Sequence, residues 1–202
     1  MKYNYLILAS LLSVSGAFAM EQSSVTPAQV TLEDYNAQKD EQTTLELIKE
    51  DWANQYVGKP FNEKLAKLLI EMPYNSTNAP SLTAGYNKVF KLNGNIIGFI
   101  TYYSHNQRPC TIEAQNNKKE GYIELFSLKE QYHNKGIAEH FLRTIVLPQL
   151  KKNGAQYMVA YLQKTDAKNI ALFESVGFKK TGEERHQKES WALVKHNLDD
   201  IQ

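Results

Sequence analysis

Apolar residues change their spacing along this chain, and the changes mark out its elements. Residues 122–128 (YIELFSL) have strand character, with Tyr122, Ile123 and Phe126 among them and no helical spacing, which predicts a strand. A polar turn at 129–134 follows, then a helix over 139–152 with Phe141, Leu142, Ile145, Val146 and Leu150 inward. Pro148 should bend that helix, and Asn153-Gly154 should end it. Before this block, residues 30–35 predict a first strand. Leu45, Ile48, Trp52 and Tyr56 recur at three- and four-residue steps and predict a helix over 40–57, closed by Gly58 and Pro60. A second helix is predicted over 62–72, with Leu65, Leu68, Leu69 and Met72 on its apolar side. Residues 73–85 read as a loop. Asn93-Gly94 joins strands at 88–92 and 95–103 in a hairpin, because both residues tolerate positive φ. Residues 104–120 form a long polar connection of the kind that often walls a site. After the central block come a strand over 155–162, a helix capped by Asp166 and ending at Gly177, and strands at 178–181 and 190–196. The order predicts a single α/β (α+β) domain, a mixed sheet with helices on its faces.

Composition narrows the function. The 202 residues hold 23 basic and 22 acidic side chains, so there is no basic surplus of the kind a nucleic-acid binder carries. The one cysteine, Cys110, rules out a disulfide framework and a cysteine zinc site, and the five histidines show no ligand spacing. No metal is expected. Residues 1–19 combine Lys2, an apolar stretch and Ala17-Phe18-Ala19, a secretory signal pattern with cleavage after Ala19. Residues 20–29 read as a polar leader and 30–202 as the folded domain. Export to the periplasm or medium is the expectation, with a cytoplasmic location as the alternative if the signal is retained. No later stretch is long and apolar enough to span a membrane as a helix. Asn75-Ser76-Thr77 matches a glycosylation acceptor, read here as chance. The pattern says nothing of oligomeric state.

The central block also carries chemistry. A strand that ends in a glycine-containing loop opening a helix presents unpaired backbone N–H groups and a positive helix end. Such a turn receives an anion, and Gly136 lets the backbone come close to it. By itself the same pattern also fits an ordinary strand-to-helix connection.

Two blocks together resemble the GCN5-related N-acetyltransferase (GNAT) family. IELFSLKEQYHNKGIAEHFL, beginning at Ile123, is similar to that family's Arg/Gln-x-x-Gly-x-Gly/Ala loop with its preceding fourth strand. DAKNIALFESVGF, beginning at Asp166, resembles the later Asn-x-x-Ala-x-x-x-Tyr-Glu-x-x-Gly-Phe block. The resemblance implies a mostly antiparallel sheet splayed between its fourth and fifth strands, with acetyl-CoA in the wedge. It implies pantetheine along Phe126, Ser127 and Leu128. The pyrophosphate would sit on the amides of Asn134, Lys135, Gly136, Ile137, Ala138 and Glu139, with His133 beside them in the coenzyme site. Asp166 and Phe173 would complete the coenzyme site. The acceptor would be a primary amine of a small molecule or protein. Glu124 is the expected base, a half-buried glutamate with a raised pKa, and Glu120, in the loop before the strand, is the reserve.

Three departures from the family pattern matter. His133 replaces Arg or Gln, Asp166 replaces Asn, and Phe173 stands where Tyr commonly protonates the leaving thiolate. Phe has no proton to give. The alternative function is therefore a GNAT-fold module that binds acyl-CoA or a partner without turnover.

Overall fold

The structure is a computed structural model that describes residues 25–55, 60–71, 85–104, 120–186 and 189–201. The signal pattern, Tyr56, Cys110, Asn75-Ser76-Thr77 and most of both predicted loops lie outside the described residues.

Among the described residues, seven strands form one sheet in the order β1-β2-β3-β4-β5-β7-β6. They are β1 (Val30–Asp34), β2 (Gly85–Leu92), β3 (Asn95–Tyr103), β4 (Glu120–Leu128), β5 (Tyr157–Gln163), β6 (Lys179–His186) and β7 (Glu189–Asn197). All neighbours run antiparallel except β4 and β5. The β2–β3 hairpin turns on Asn93 and Gly94, both at positive φ (51° and 80°), the handedness expected of that dipeptide. The helices are α1 (Ala37–Gln55), α2 (Glu63–Glu71), α3 (Ile137–Phe141), α4 (Leu147–Lys152) and α5 (Ala167–Ser175).

The sheet has an apolar core on each face. One gathers α3, α4 and α5 side chains (Phe141, Leu147, Leu150, Phe173) against Ile123, Phe126 and Ala160. The other packs α1 residues Leu45, Ile48 and Trp52 against Val89, Phe99 and Leu125. β3 supplies both cores, so it is apolar almost throughout, with Ile96 to Tyr102 buried.

Capping sets the helix starts. Asn36 accepts from the Gln38 amide at 3.0 Å and opens α1. Asn62 accepts from the Leu65 amide at 3.0 Å and opens α2. The apolar side expected for α2 is only partly right: Leu69 packs against the core, but Leu65 and Leu68 do not, and Met72 lies outside the described residues. Ala66 and Ile70 are fully buried, whereas Leu65 and Leu68 are 38% and 53% exposed. Ala66 is small enough to let the helix backbone approach the core, and the buried Asn87 amide donates to the Ile70 carbonyl, fixing that rotation. The helix expected from Glu139 begins two residues earlier, at Ile137. Between α3 and α4 it widens into a π turn, Leu142–Val146. There the Leu147 amide reaches back five residues to Leu142. Pro148, which has no N–H, sits in the first turn of α4 just beyond this widening. Glu120 lies in β4 rather than in a loop, because β4 pairs with β5 from Glu120 onward.

Candidate active site

The site begins where two parallel strands separate. β4 and β5 pair only from Glu120↔Tyr157 to Ile123↔Ala160. Beyond that point β4 stays paired with β3 as far as Leu128, and β5 stays paired with β7 as far as Gln163. The facing backbone edges are therefore left without each other. The local cause is a bulge in β4: Thr101 pairs with Leu125 and Tyr102 with Ile123, which leaves Glu124 as the extra residue. A bulge adds twist and bends the strand that carries it. It also breaks side-chain alternation. Ile123 and Phe126 point into the core under α3 to α5, while Leu125 points into the core under α1.

Glu124, half-buried at this bulge, lines the cleft between the separated strands. Ile123, Phe126, Ala160, Tyr161, Gln163 and Phe173 line it as well. Phe173 is 1% exposed and meets Phe126 and Phe178 edge to face, with centroids 6.4 and 4.9 Å away. It is core packing that also walls the cleft. Tyr103 stacks on Tyr122 at 6.3 Å, and Tyr122 meets Tyr161 at 6.1 Å, so an aromatic row crosses β3, β4 and β5. Burial first, and then the Glu124 carboxylate, push the Tyr103 phenol above its ordinary range, so it stays protonated at neutral pH. Its hydroxyl is buried without a hydrogen-bond partner.

The cleft shares Phe126, Asp166 and Asn169 with a broader groove of about 900 Å³. Phe126, Ser127 and Leu128 form one wall of it, and the loop from His133 to Glu139 forms its end. Asn134 and Gly136 both adopt positive φ, at 57° and 70°. Gly136 is the N-cap of α3 and offers no side-chain cap. The first intrahelical bond there runs from the His140 amide to the Gly136 carbonyl at 2.9 Å, so the preceding amides have no carbonyl in their own helix. His133 Nε2 donates to the Leu128 carbonyl and ties the loop to the end of β4. His133 Nδ1 and Ser127 Oγ are buried and unpartnered. The groove therefore holds unmatched polar atoms and a row of amides in one concavity.

Formal charge does not make this an anion site. Lys135 and Lys168 face Asp51, Glu130, Glu139 and Asp166 around the groove. Glu139 is held by Arg143 at 3.2 Å, and Arg143 also donates to the Ser175 carbonyl, which clips the π turn after α3 to the end of α5. Any attraction for a phosphate must come from the amides and the helix end.

Asp166 caps α5, accepting from the Asn169 amide at 3.1 Å and from Asn169 Nδ2 at 2.7 Å. Sequence reasoning missed Tyr161, Gln163, Lys168 and Asn169, all of which line the cleft or the groove. Asn169 had a legible signal, since it stands at the third helical position, where a capping aspartate bonds. Tyr161 and Gln163 had none, because their place depends on where β4 and β5 part. Among the described residues no group of three or more His, Cys, Asp and Glu side chains is arranged to hold a metal. Among them too, no helix is long and apolar enough to cross a membrane.

Known proteins share this architecture. The crystal structure of an N-acetyltransferase from Staphylococcus aureus Mu50 superposes with a TM-score of 0.63 at 18% identity, covering 84% of this chain and 98% of that one. The aminoglycoside acetyltransferase AAC(6')-Ib, in complex with coenzyme A, gives 0.64 at 15% identity, covering 83% and 94%. Spermidine N-acetyltransferase from Vibrio cholerae, in complex with CoA and spermine, gives 0.61 at 13% identity, covering 86% and 98%. No curated protein sequence matches the chain. The profile of the acetyltransferase (GNAT) family matches residues 43–178, which include the parted strands, the loop at Gly136 and helix α5. The chain is a member of the GNAT acetyltransferase family.

Proposed function

We propose that the protein transfers an acetyl group from acetyl-CoA to a primary amine of a small molecule or protein. The observation that carries this reading is the parting of β4 and β5 beyond Ile123 and Ala160, opening onto the amide row at Gly136. A pantetheine arm is a chain of amides, and the unpaired edge of β4 from Phe126 to Leu128 can bond it as a missing strand would. The diphosphate suits the amides from Asn134 to Glu139, where positive φ turns the backbone outward. Ser127 Oγ and His133 Nδ1, both short of partners, lie along the same path. Asp166 acts through α5, whose first turn it orders, and Phe173 packs against the reacting end.

Glu124 has the position of a general base. An ammonium cannot attack a thioester, so a proton must leave the amine first. A carboxylate on the bulge reaches the cleft while its strand remains anchored to β3. Main-chain amides of the parted strand stabilise the oxygen on which charge develops. Two proteins of this fold are an aminoglycoside acetyltransferase and a spermidine N-acetyltransferase. Both classes belong in the first acceptor panel.

The test combines calorimetry with coenzyme A and thiol release from acetyl-CoA across that panel. Binding plus release that is lost in Glu124→Gln supports transfer. A chain that binds coenzyme A but releases no thiol with any amine fits the second reading, a binding module without turnover. Phe173 motivates that reading, since its buried ring offers no proton.

We further propose that residues 1–19 are removed and the domain exported. Acetyl-CoA is a cytosolic metabolite, so an exported enzyme would need delivery into another cell's cytosol. Mass spectrometry of the mature N-terminus decides this: a cytosolic protein beginning at Met1 refutes export.

A further inference from the structure

We propose that the Tyr161 hydroxyl protonates the departing coenzyme A thiolate, the task for which Phe173 has no group. The inference rests on the acetyl-transfer reading above and assigns a second catalytic residue to the same site.

Elimination within the cleft leads there. Its described lining holds few groups able to release a proton near neutral pH. The amides of Gln163 and Asn169 do not ionise in that range. Asp166 is committed as an acceptor to the Asn169 amide and side chain. Glu124 is needed as a carboxylate to take a proton from the amine. Tyr103 has a hydroxyl, but it is buried and not part of this lining. Tyr161 is the lining residue with a phenol, whose ordinary pKa of about 10 is close enough to a thiol's, about 8.5, for proton exchange.

Placement agrees. Tyr161 is the first β5 residue past the last β4–β5 pair, Ile123↔Ala160. Its neighbours Ala160 and Leu162 belong to the core under α3 to α5, so alternation turns Tyr161 to the opposite face. The Glu124 carboxylate is near enough to act on the Tyr103 phenol, and Tyr103 stacks on Tyr122, the ring against which Tyr161 is held, so Glu124 lies on that same side. The acid and the base therefore flank the split from one face, and Phe173 closes it from the other. The half-buried Tyr161 ring is held against Tyr122 at 6.1 Å and 69°.

The protons balance. The ammonium nitrogen sheds two protons, one to solvent and one to the Glu124 carboxylate, as the C–N bond forms. The C–S bond breaks with its electron pair going to sulfur. Tyr161 gives its proton to that sulfur, and protonated Glu124 restores the phenol through water in the cleft, returning both side chains to their starting states.

The test compares the full chain, Tyr161→Phe and Tyr161→Phe/Phe173→Tyr. Bound coenzyme A is titrated by the ultraviolet absorbance of its thiolate, which needs no acceptor. A phenol donor favours the thiolate, so the bound thiol should titrate about one pH unit lower in wild type than in Tyr161→Phe. Putting tyrosine at position 173 should restore the lower value. With any accepted amine, Tyr161→Phe should lower kcat roughly a hundredfold and leave the KM for acetyl-CoA unchanged. Coenzyme binding with the same thiol titration in wild type and Tyr161→Phe overturns this proposal alone. A wild-type chain that binds no coenzyme A overturns the acetyl-transfer reading and this one with it.

Discussion

Gly98→Ala tests whether the close contact of β3 with β4 supports the site. Gly98 pairs with Phe90 on one side and Leu128 on the other. A Cβ there would stand 2.8 Å from Leu128 Cδ1, 2.8 Å from the Ser127 carbonyl oxygen and 2.9 Å from Phe90 Cδ2, where ordinary contact begins at 3.4 Å. The two side-chain contacts can relax by rotation. The carbonyl cannot, because it belongs to the strand that walls the groove, so β3 and β4 must move apart locally by several tenths of an ångström. Overpacking of this kind costs about 1–3 kcal/mol. The lower entropy of unfolded alanine offsets roughly 0.4–1 kcal/mol of that. A net destabilisation of about 1.3 kcal/mol follows, or roughly 3–5 °C in Tm for a domain of this size. Urea unfolding followed by circular dichroism measures it, with the midpoint lowered and the slope unchanged. Gly182→Ala is the control. Its Cβ would meet only Leu193 Cδ2 at 3.9 Å, so it should be neutral or slightly stabilising. If Gly98→Ala behaves like Gly182→Ala, the steric reasoning is wrong.

Other expectations concern the loop, the cap and the acid limb of stability. Gly136→Val should hold its fold, since a Cβ meets only Pro27 Cγ at 3.9 Å, with about 1–2 kcal/mol of strain at φ +70°. Its coenzyme A affinity by calorimetry should fall at least roughly tenfold, because the side chain obstructs the amide row. Asp166→Ala should cost about 1 kcal/mol by denaturant midpoint through loss of the α5 cap. Asp166→Asn keeps a capping oxygen and removes a carboxylate from the groove, so coenzyme A should bind more tightly, and added salt should shrink that gain. Lys164, then Lys180, lower the Glu183 pKa from its ordinary 4.5 to about 2. A depressed carboxylate stabilises the fold above the unfolded pKa and loses that contribution as pH falls from 4.5 toward 2. Glu183→Gln should therefore lose less stability than wild type across that window, and the small difference should fade in salt.

Much of this architecture was legible because local rules govern it. Asn93-Gly94 imposes its turn wherever strands flank it. Asp166 caps a helix because its carboxylate reaches an amide three residues on. The turn at Gly136 was readable for the same reason, since a strand, a left-handed glycine and a helix start all lie within a few residues of each other. The facing of α2 was only partly legible. Leu65 and Leu68 are more apolar than Ala66, but the buried side of a helix is set by what it packs against, and the Asn87 amide waits at Ile70. Tyr161 and Gln163 were hidden for a related reason. Along β5 they look like any strand residues, and they line a cleft only because a bulge at Glu124 pulls β4 away from its neighbour. Turns and caps are short-range chemistry carried by adjacent residues. Which edges part, and which side chains then face the gap, depends on pairings between segments far apart in the chain, to which a local pattern is blind.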